Sequence, residues 1–231
     1  MEALIQLDKQ LLLMINGSQS LFTDYLAMSL TNARTWIPLY MALFYLVIKN
    51  NENVRQIFMI IAGAVACVVL AGTTDDLIVK PIVARWRPTH DPAIGLLVDV
   101  VDGYRGGSYG FFSAHAANTF SVAVFFSLMV KSQALSVSLM AWSLINCWTR
   151  MYLGVHYPLD ILAGLAWGAT VGTGTYLTLH FLKKRLDDNV GSYISTQYTT
   201  TGYQRHDIDI VITVFVLSLF YCIVRSCIVA V

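Results

Sequence analysis

The stretch "TRMYLGVHYPLD", residues 149–160, sets an arginine, a histidine and a carboxylate within a few positions of one another in an otherwise apolar chain. His156 and Asp160 are four apart. On a helix entering the next apolar run, the carboxylate can accept from one ring nitrogen and turn the other outward. An imidazole held in this way is a candidate nucleophile. Upstream, "KPIVARWRP" carries Lys80 and Arg87 seven apart, which two turns of a continuing helix bring to one face before Pro88 ends it. With Arg150 these make three cations able to converge: the arginine fork matches phosphate oxygens, and lysine adds a compact charge. Taken singly, each cation is explained equally well as a headgroup anchor at a helix end. Taken with two histidines, they point to an oxyanion site. The second histidine, His115, lies in "YGFFSAHAANTF", where Ser113 suits a helix N-cap and the free N–H groups of the helix start favour an anion. Phosphorus is the electrophile these cations select. His115 can then protonate a departing oxygen while Lys80, Arg87 and Arg150 neutralise the moving phosphoryl group. Asp76, four residues before Lys80, is placed to pair with it.

The elements that must position these groups are membrane helices. Hydrophobic residues make up 56% of the 231-residue chain and charged residues 13%, which is not the balance of a soluble domain. A net charge of +1, with no clustered basic surface, gives no reason to expect a nucleic-acid partner. Cys67, Cys147, Cys222 and Cys227 all fall in apolar runs and lack the spacing of a disulfide or metal framework, so they read as small core residues.

A spanning helix needs about 20 mainly apolar residues. Six segments approach this: one from about Ala33 through Ile48, then Ile57 to Val79, His115 to Val130, Ala134 to Trp148, Asp160 to Leu182, and Ile210 to Val229. Before them, Leu4, Leu7, Leu11 and Met14 recur at helical spacing with Asp8 and Lys9 beside them, the pattern of an amphipathic helix lying in the membrane plane. The expected fold is therefore all-α: a polytopic membrane bundle of about six transmembrane helices with an in-plane N-terminal helix. Residues 1–182 form its core, 183–208 an exposed polar linker, and 209–231 an appended C-terminal span.

Alternating spans put the segments holding Lys80 to Arg87, Ser113 to His115 and Arg150 to Asp160 on one face. Once Lys80, Arg87 and Arg150 are set aside as chemistry, the opposite face is the richer in Lys and Arg and is expected to be cytoplasmic.

Three motifs in order carry a family resemblance. Lys80 to Pro88 matches K-x6-R-P, Ser113 to His115 approximates P-S-G-H, and Thr149 to Asp160 approximates S-R-x5-H-x3-D. This trio, with the hydrophobic segments between, resembles the type 2 phosphatidic acid phosphatase family over about residues 24–182. That family comprises integral-membrane lipid phosphatases related to vanadium haloperoxidases. The resemblance implies a metal-independent, cofactor-free reaction through a phosphohistidine. It makes His156 the nucleophile, Asp160 its orienting partner and His115 the general acid. Lys80, Arg87, Arg150, the Ser113 hydroxyl and the Ala114 backbone N–H would bind phosphate.

The chain departs from the family pattern at Phe112 (usually Pro), Ala114 (usually Gly) and Thr149 (usually Ser). An Ala at position 114 would be strained if the backbone there had to take a positive φ. The implied partners are a lipid phosphate and the bilayer, in a bacterial inner membrane with the site facing the periplasm. Candidate substrates are a polyprenyl diphosphate, a lipid A phosphate, phosphatidylglycerol phosphate and phosphatidic acid. Transfer of the phosphoryl group to a second lipid remains an alternative to hydrolysis. A lipid or anion transporter is disfavoured because its charges should spread through the span depth. A metal site built on His-x3-Asp is a further alternative, and the departures at Phe112 and Ala114 leave a catalytically vestigial member of the family as another.

Overall fold

The computed structural model of the chain describes residues 2–18, 20–186 and 195–230. Its elements among the described residues are helical: α1 (Glu2–Ile15), α2 (Leu21–Thr31), α3 (Ile37–Lys49), α4 (Val54–Thr73), α5 (Lys80–Val83), α6 (Ala114–Val130), α7 (Gln133–Tyr152), α8 (Pro158–Leu186) and α9 (Arg205–Val229). Val54–Val83, which continues from α4 through a π turn into α5, and Arg205–Val229 are each long and apolar enough to cross a membrane by length and composition. The largest core cluster draws on α3, α4, α6, α7 and α9, with Trp36, Phe125, Leu135, Trp142 and Phe215 among its members.

α6 and α8 are the pair that matters most to the site. Gly164, Gly168 and Gly172 recur every fourth residue on α8, so they form one ridge. A Cβ added at each would stand only 2.7, 2.6 and 2.5 Å from the carbonyl oxygens of Ser113, which caps α6, and of Ala117 and Ser121 on it. The two backbones therefore touch directly, in the manner of small-residue helix pairs in membranes. At the top of this contact the Ser113 N–H donates to the Asp160 carbonyl at 3.1 Å, which fixes the register of the two helices. Pro158 opens α8, where its missing N–H leaves no bond unmade.

Several expectations need correction. The first apolar segment is not a helix starting near Ala33. It is broken: α2 ends at Thr31, a 3-10 turn covers Ala33–Trp36, and α3 begins at Ile37, with α2 and α3 both lying against α9. The break is ordered by specific bonds. Asn32 accepts from the Arg34 N–H at 3.0 Å, and the Trp36 indole donates to the Leu30 carbonyl at 2.8 Å. The Trp36 ring then stacks on Phe215 at 6.1 Å and meets Trp142 edge-on at 6.0 Å.

The tract expected to be an exposed linker is exposed at 195–198, where it re-enters the described residues, and packed beyond them. Thr199 and Tyr203 are buried, Thr201 donates to the Val130 carbonyl at 2.8 Å, and the Gln204 N–H donates to Asn50 at 2.7 Å. The part of that tract at 187–194 lies outside the described residues. Cys67, Cys147 and Cys222 are buried as expected, but Cys227 is exposed.

Candidate active site

α4 runs into "TTDD", where Thr73 and Thr74 turn their hydroxyls back onto the Val69 and Leu70 carbonyls at 2.6 and 2.7 Å. Such back-bonding bends a helix. The chain then widens into a π turn over Thr74–Val79, a distortion common at functional sites. Its i to i+5 bond, from the Lys80 N–H to the Asp75 carbonyl, sets residues five apart above one another. Lys80 accordingly lies 2.6 Å from Asp76, as its spacing suggested, and also 2.7 Å from Asp75, which is fully buried.

The helix expected to continue from Lys80 to Arg87 does not. α5 stops at Val83, and Ala84 takes a left-handed conformation with φ of 47°. Arg87 then arrives on an extended strip. Its N–H donates to the Ser108 carbonyl and its Nε to the Tyr109 carbonyl, both at 3.0 Å. Lys80 and Arg87 converge by a turn rather than by sharing a helical face.

Arg150 lies inside the last turn of α7, with Nη1 donating to Thr31 Oγ1 at 2.7 Å and to the Tyr104 hydroxyl at 2.9 Å. Ser113 caps α6 by accepting from the Ala116 N–H at 3.4 Å. Ala114 is the first helical residue and is not among the positive-φ positions, so its methyl causes no strain. Its N–H and that of His115 belong to the first turn of the helix, which has no intrahelical acceptors. Phe112 is buried against Trp167 and so contributes to packing where the family usually has proline. The Thr149 hydroxyl is directed back to the Asn146 carbonyl at 2.7 Å.

His156 sits in the connection before α8 rather than on the helix, and its side chain is 2% exposed. Nδ1 stands 3.7 Å from Asp160 Oδ2, longer than a hydrogen bond. The expected His-Asp pair is thus adjacent but not bonded. Asp160 is held by other partners: its Oδ2 accepts from the Tyr157 N–H at 2.9 Å, and its Oδ1 meets Arg85 Nη1 at 2.6 Å. Burial, and then the charges of Arg87, Arg150 and Lys80, hold the His156 imidazole well below its ordinary pKa. The ring is therefore neutral at pH 7, the form that can attack. His115 also contributes to the field at His156.

Among the described residues, two buried guanidinium nitrogens in this cluster, Arg87 Nη1 and Arg150 Nε, have no hydrogen-bond partner; His156 Nδ1 has none either, but it faces Asp160. Buried donors left open in this way are costly unless something fills the space between them. An anion that accepts from both guanidinium groups meets that need.

The family model described as the PAP2 superfamily matches residues 53–184, more than half of the chain. The chain belongs to the PAP2 superfamily. Among curated relatives, the lipid A 4'-phosphatase of Bacteroides thetaiotaomicron is 36% identical over 81% of this chain and 84% of its own length. The lipid A 4'-phosphatase of Porphyromonas gingivalis is 30% identical over 80% of this chain and 78% of its own length. The decaprenylphosphoryl-5-phosphoribose phosphatase of Mycobacterium tuberculosis is 37% identical over 49% of this chain and 56% of its own length. No solved structure matches.

The PAP2 match contains Lys80, Arg87, Ser113, Ala114, His115, Arg150, His156 and Asp160. It leaves out α1, α2, α3 and α9. Sequence reasoning missed the partners that hold these groups in place: Asp75 on Lys80, Thr31 and Tyr104 on Arg150, and Arg85 on Asp160. Arg85 carried one visible signal, a second arginine inside K-x6-R-P that the motif does not require.

Proposed function

We propose that this PAP2 chain is a membrane lipid phosphatase that hydrolyses the 4'-phosphate monoester of lipid A. The observation that carries the chemistry is the pair of buried, unpartnered guanidinium nitrogens, Arg87 Nη1 and Arg150 Nε, whose charges act on the neutral His156 ring. The substrate rests on two lipid A 4'-phosphatase relatives that align along about four-fifths of the chain.

The phosphate lies between the Arg87 and Arg150 guanidinium groups, Lys80 and the N–H groups that open α6. The neutral His156 ring attacks phosphorus, forming the N–P bond as the sugar P–O bond breaks. His115 delivers a proton to the sugar oxygen. In the second half, His115 takes a proton from water, the water oxygen bonds to phosphorus, and the P–N bond breaks to release inorganic phosphate. Asp160, beside Nδ1, stabilises the imidazolium character that develops in the first half.

Six spans fit the architecture: α2 with α3 as one broken traverse, then α4, α6, α7, α8 and α9. On α1, Leu4, Leu7, Leu11 and Met14 are exposed together, which suits a helix lying in the lipid interface. The face bearing Lys49, Arg55, Lys131, Lys183, Lys184, Arg185 and Arg205 is cytoplasmic, and the site opens to the periplasm of a bacterial inner membrane. In a Cys227→Ser background, which removes the one exposed cysteine among the described residues, a membrane-impermeant thiol reagent is expected to label Arg105→Cys in intact cells. Labelling only after the cells are broken would reverse this orientation.

The function is tested with purified protein in lipid, chelator present, against lipid A, phosphatidic acid, phosphatidylglycerol phosphate and a polyprenyl diphosphate. Free phosphate is expected from lipid A, with the 1-phosphate intact. Label retained in a second lipid would indicate transfer, and activity abolished by chelator and restored by one metal would replace the phosphohistidine route.

A further inference from the structure

Asp8 lies in a helix outside the PAP2 match, and its carboxylate is almost fully buried. Both of its oxygens are used. Oδ2 meets Arg85 Nη2 at 2.6 Å, and Oδ1 accepts from the Leu159 N–H at 2.9 Å. Leu159 is the second residue of α8, so Asp8 places a negative charge on the open N-terminus of the helix that carries Asp160. The other arm of Arg85 holds Asp160 Oδ1 at 2.6 Å, and its guanidinium lies 4.2 Å from the centre of the Tyr157 ring. The neighbouring Lys9 adds a second tie: its ammonium lies 2.9 Å from Asp91, which accepts from the Tyr157 hydroxyl at 2.7 Å. Two adjacent residues of α1 thus reach Tyr157, Leu159 and Asp160, the residues that follow His156.

We infer that α1 is a positioning element of the active site, and that Asp8 acts through Arg85 and the start of α8 to set Asp160 against His156. The inference rests on the phosphatase reading above for its kinetic consequence. A guanidinium fork shared between two carboxylates has one orientation that satisfies both. That orientation leaves Asp160 Oδ2 to the Tyr157 N–H and to the space beside His156 Nδ1. An asparagine at position 8 keeps an oxygen for Leu159 but turns an amide toward Arg85 and removes the charge. The fork can then swing toward Asp160 alone, and the carboxylate rotates with it.

Asp8→Asn is expected to lower kcat on lipid A by about 10- to 100-fold, the range of a coupled ion-pair network, with KM changed less than about 3-fold. In an Asp160→Asn background the same change is expected to cost no more than about 2-fold, because the route to His156 is already cut. Losses that multiply in the double variant would give Asp8 a role in folding only and overturn the inference. A readout independent of turnover is the 15N-histidine spectrum of the protein in detergent, with His156 assigned by its absence in His156→Asn. Asp8→Asn is expected to move the His156 ring signals and leave His180 and His206 in place. Unmoved His156 signals, or wild-type kcat, would overturn the inference. Moved signals in a protein that releases no phosphate, wild type included, would uphold it and count against the proposed function instead.

Discussion

His156→Asn is expected to reduce phosphate release from lipid A by at least about 10⁴-fold, the scale of removing a covalent nucleophile from a site whose other parts remain. The size of the effect follows from what the imidazole alone supplies. Arg87, Arg150 and Lys80 can bind phosphate without it, so KM should change little while kcat collapses. The ring is buried and neutral, so no solvent base stands ready to replace it. The direct check is brief exposure to labelled lipid followed by quenching in alkali, in which a phosphohistidine survives and a phosphoserine ester does not. Wild type should retain label, acid should discharge it, and His156→Asn should retain none. Turnover within about tenfold of wild type in the variant would mean that water attacks phosphorus directly.

Arg150→Lys is expected to lower kcat by about 10²- to 10³-fold, close to the loss from Arg150→Ala, because a lost oxyanion donor costs that much. In most surface positions the exchange is mild. Here Nη1 is committed to Thr31 and Tyr104, and Nε is the buried atom left open for an oxyanion. An ammonium has one donor centre and cannot serve both sides of the guanidinium. If it bonds Thr31, the oxyanion is deserted. If it turns to the oxyanion, the Thr31 and Tyr104 oxygens lose their donor. Steady-state turnover of the two variants against lipid A measures this, and a lysine variant retaining more than half of wild-type kcat would show that charge alone suffices.

The residues proposed to react stand out in the sequence because their chemistry restricts the residue type. His115, Arg150, His156 and Asp160 stand in motifs whose order survives departures at Phe112, Ala114 and Thr149. α6 and α8 were legible from their apolar runs, and the Ser113 and Pro158 starts agree with ordinary capping rules. The turn after Val83 was not. Ala84 adopts a left-handed φ that alanine rarely takes, and nothing in "KPIVARWRP" marks it. The π turn was equally silent, since Thr-Thr-Asp-Asp lowers helix propensity without specifying how the helix will distort.

Asp8 was read as part of the polar side of an amphipathic helix. Asp8 faces a half-buried arginine, and periodicity cannot distinguish that from a carboxylate facing water. Long-range partners of this kind, Thr31 on Arg150 and Asp8 on Arg85, depend on how separate segments fold back on one another. One sequence does not encode that in local spacing.

The glycine ridge between α6 and α8 divides the tolerances of the site unequally. His115 rides on one of these two rods and the His156 connection feeds directly into the other, with backbone touching backbone and no side-chain cushion between them. The separation of the two histidines, the attacking ring and proton donor of the proposed reaction, is therefore tied to main-chain dimensions. Lys80 and Arg87, by contrast, hang from a distorted turn and an irregular strip that can be re-cut residue by residue. Under the proposed mechanism, substitutions around Lys80 and Arg87 would change which headgroup is held before they change the spacing of the two histidines.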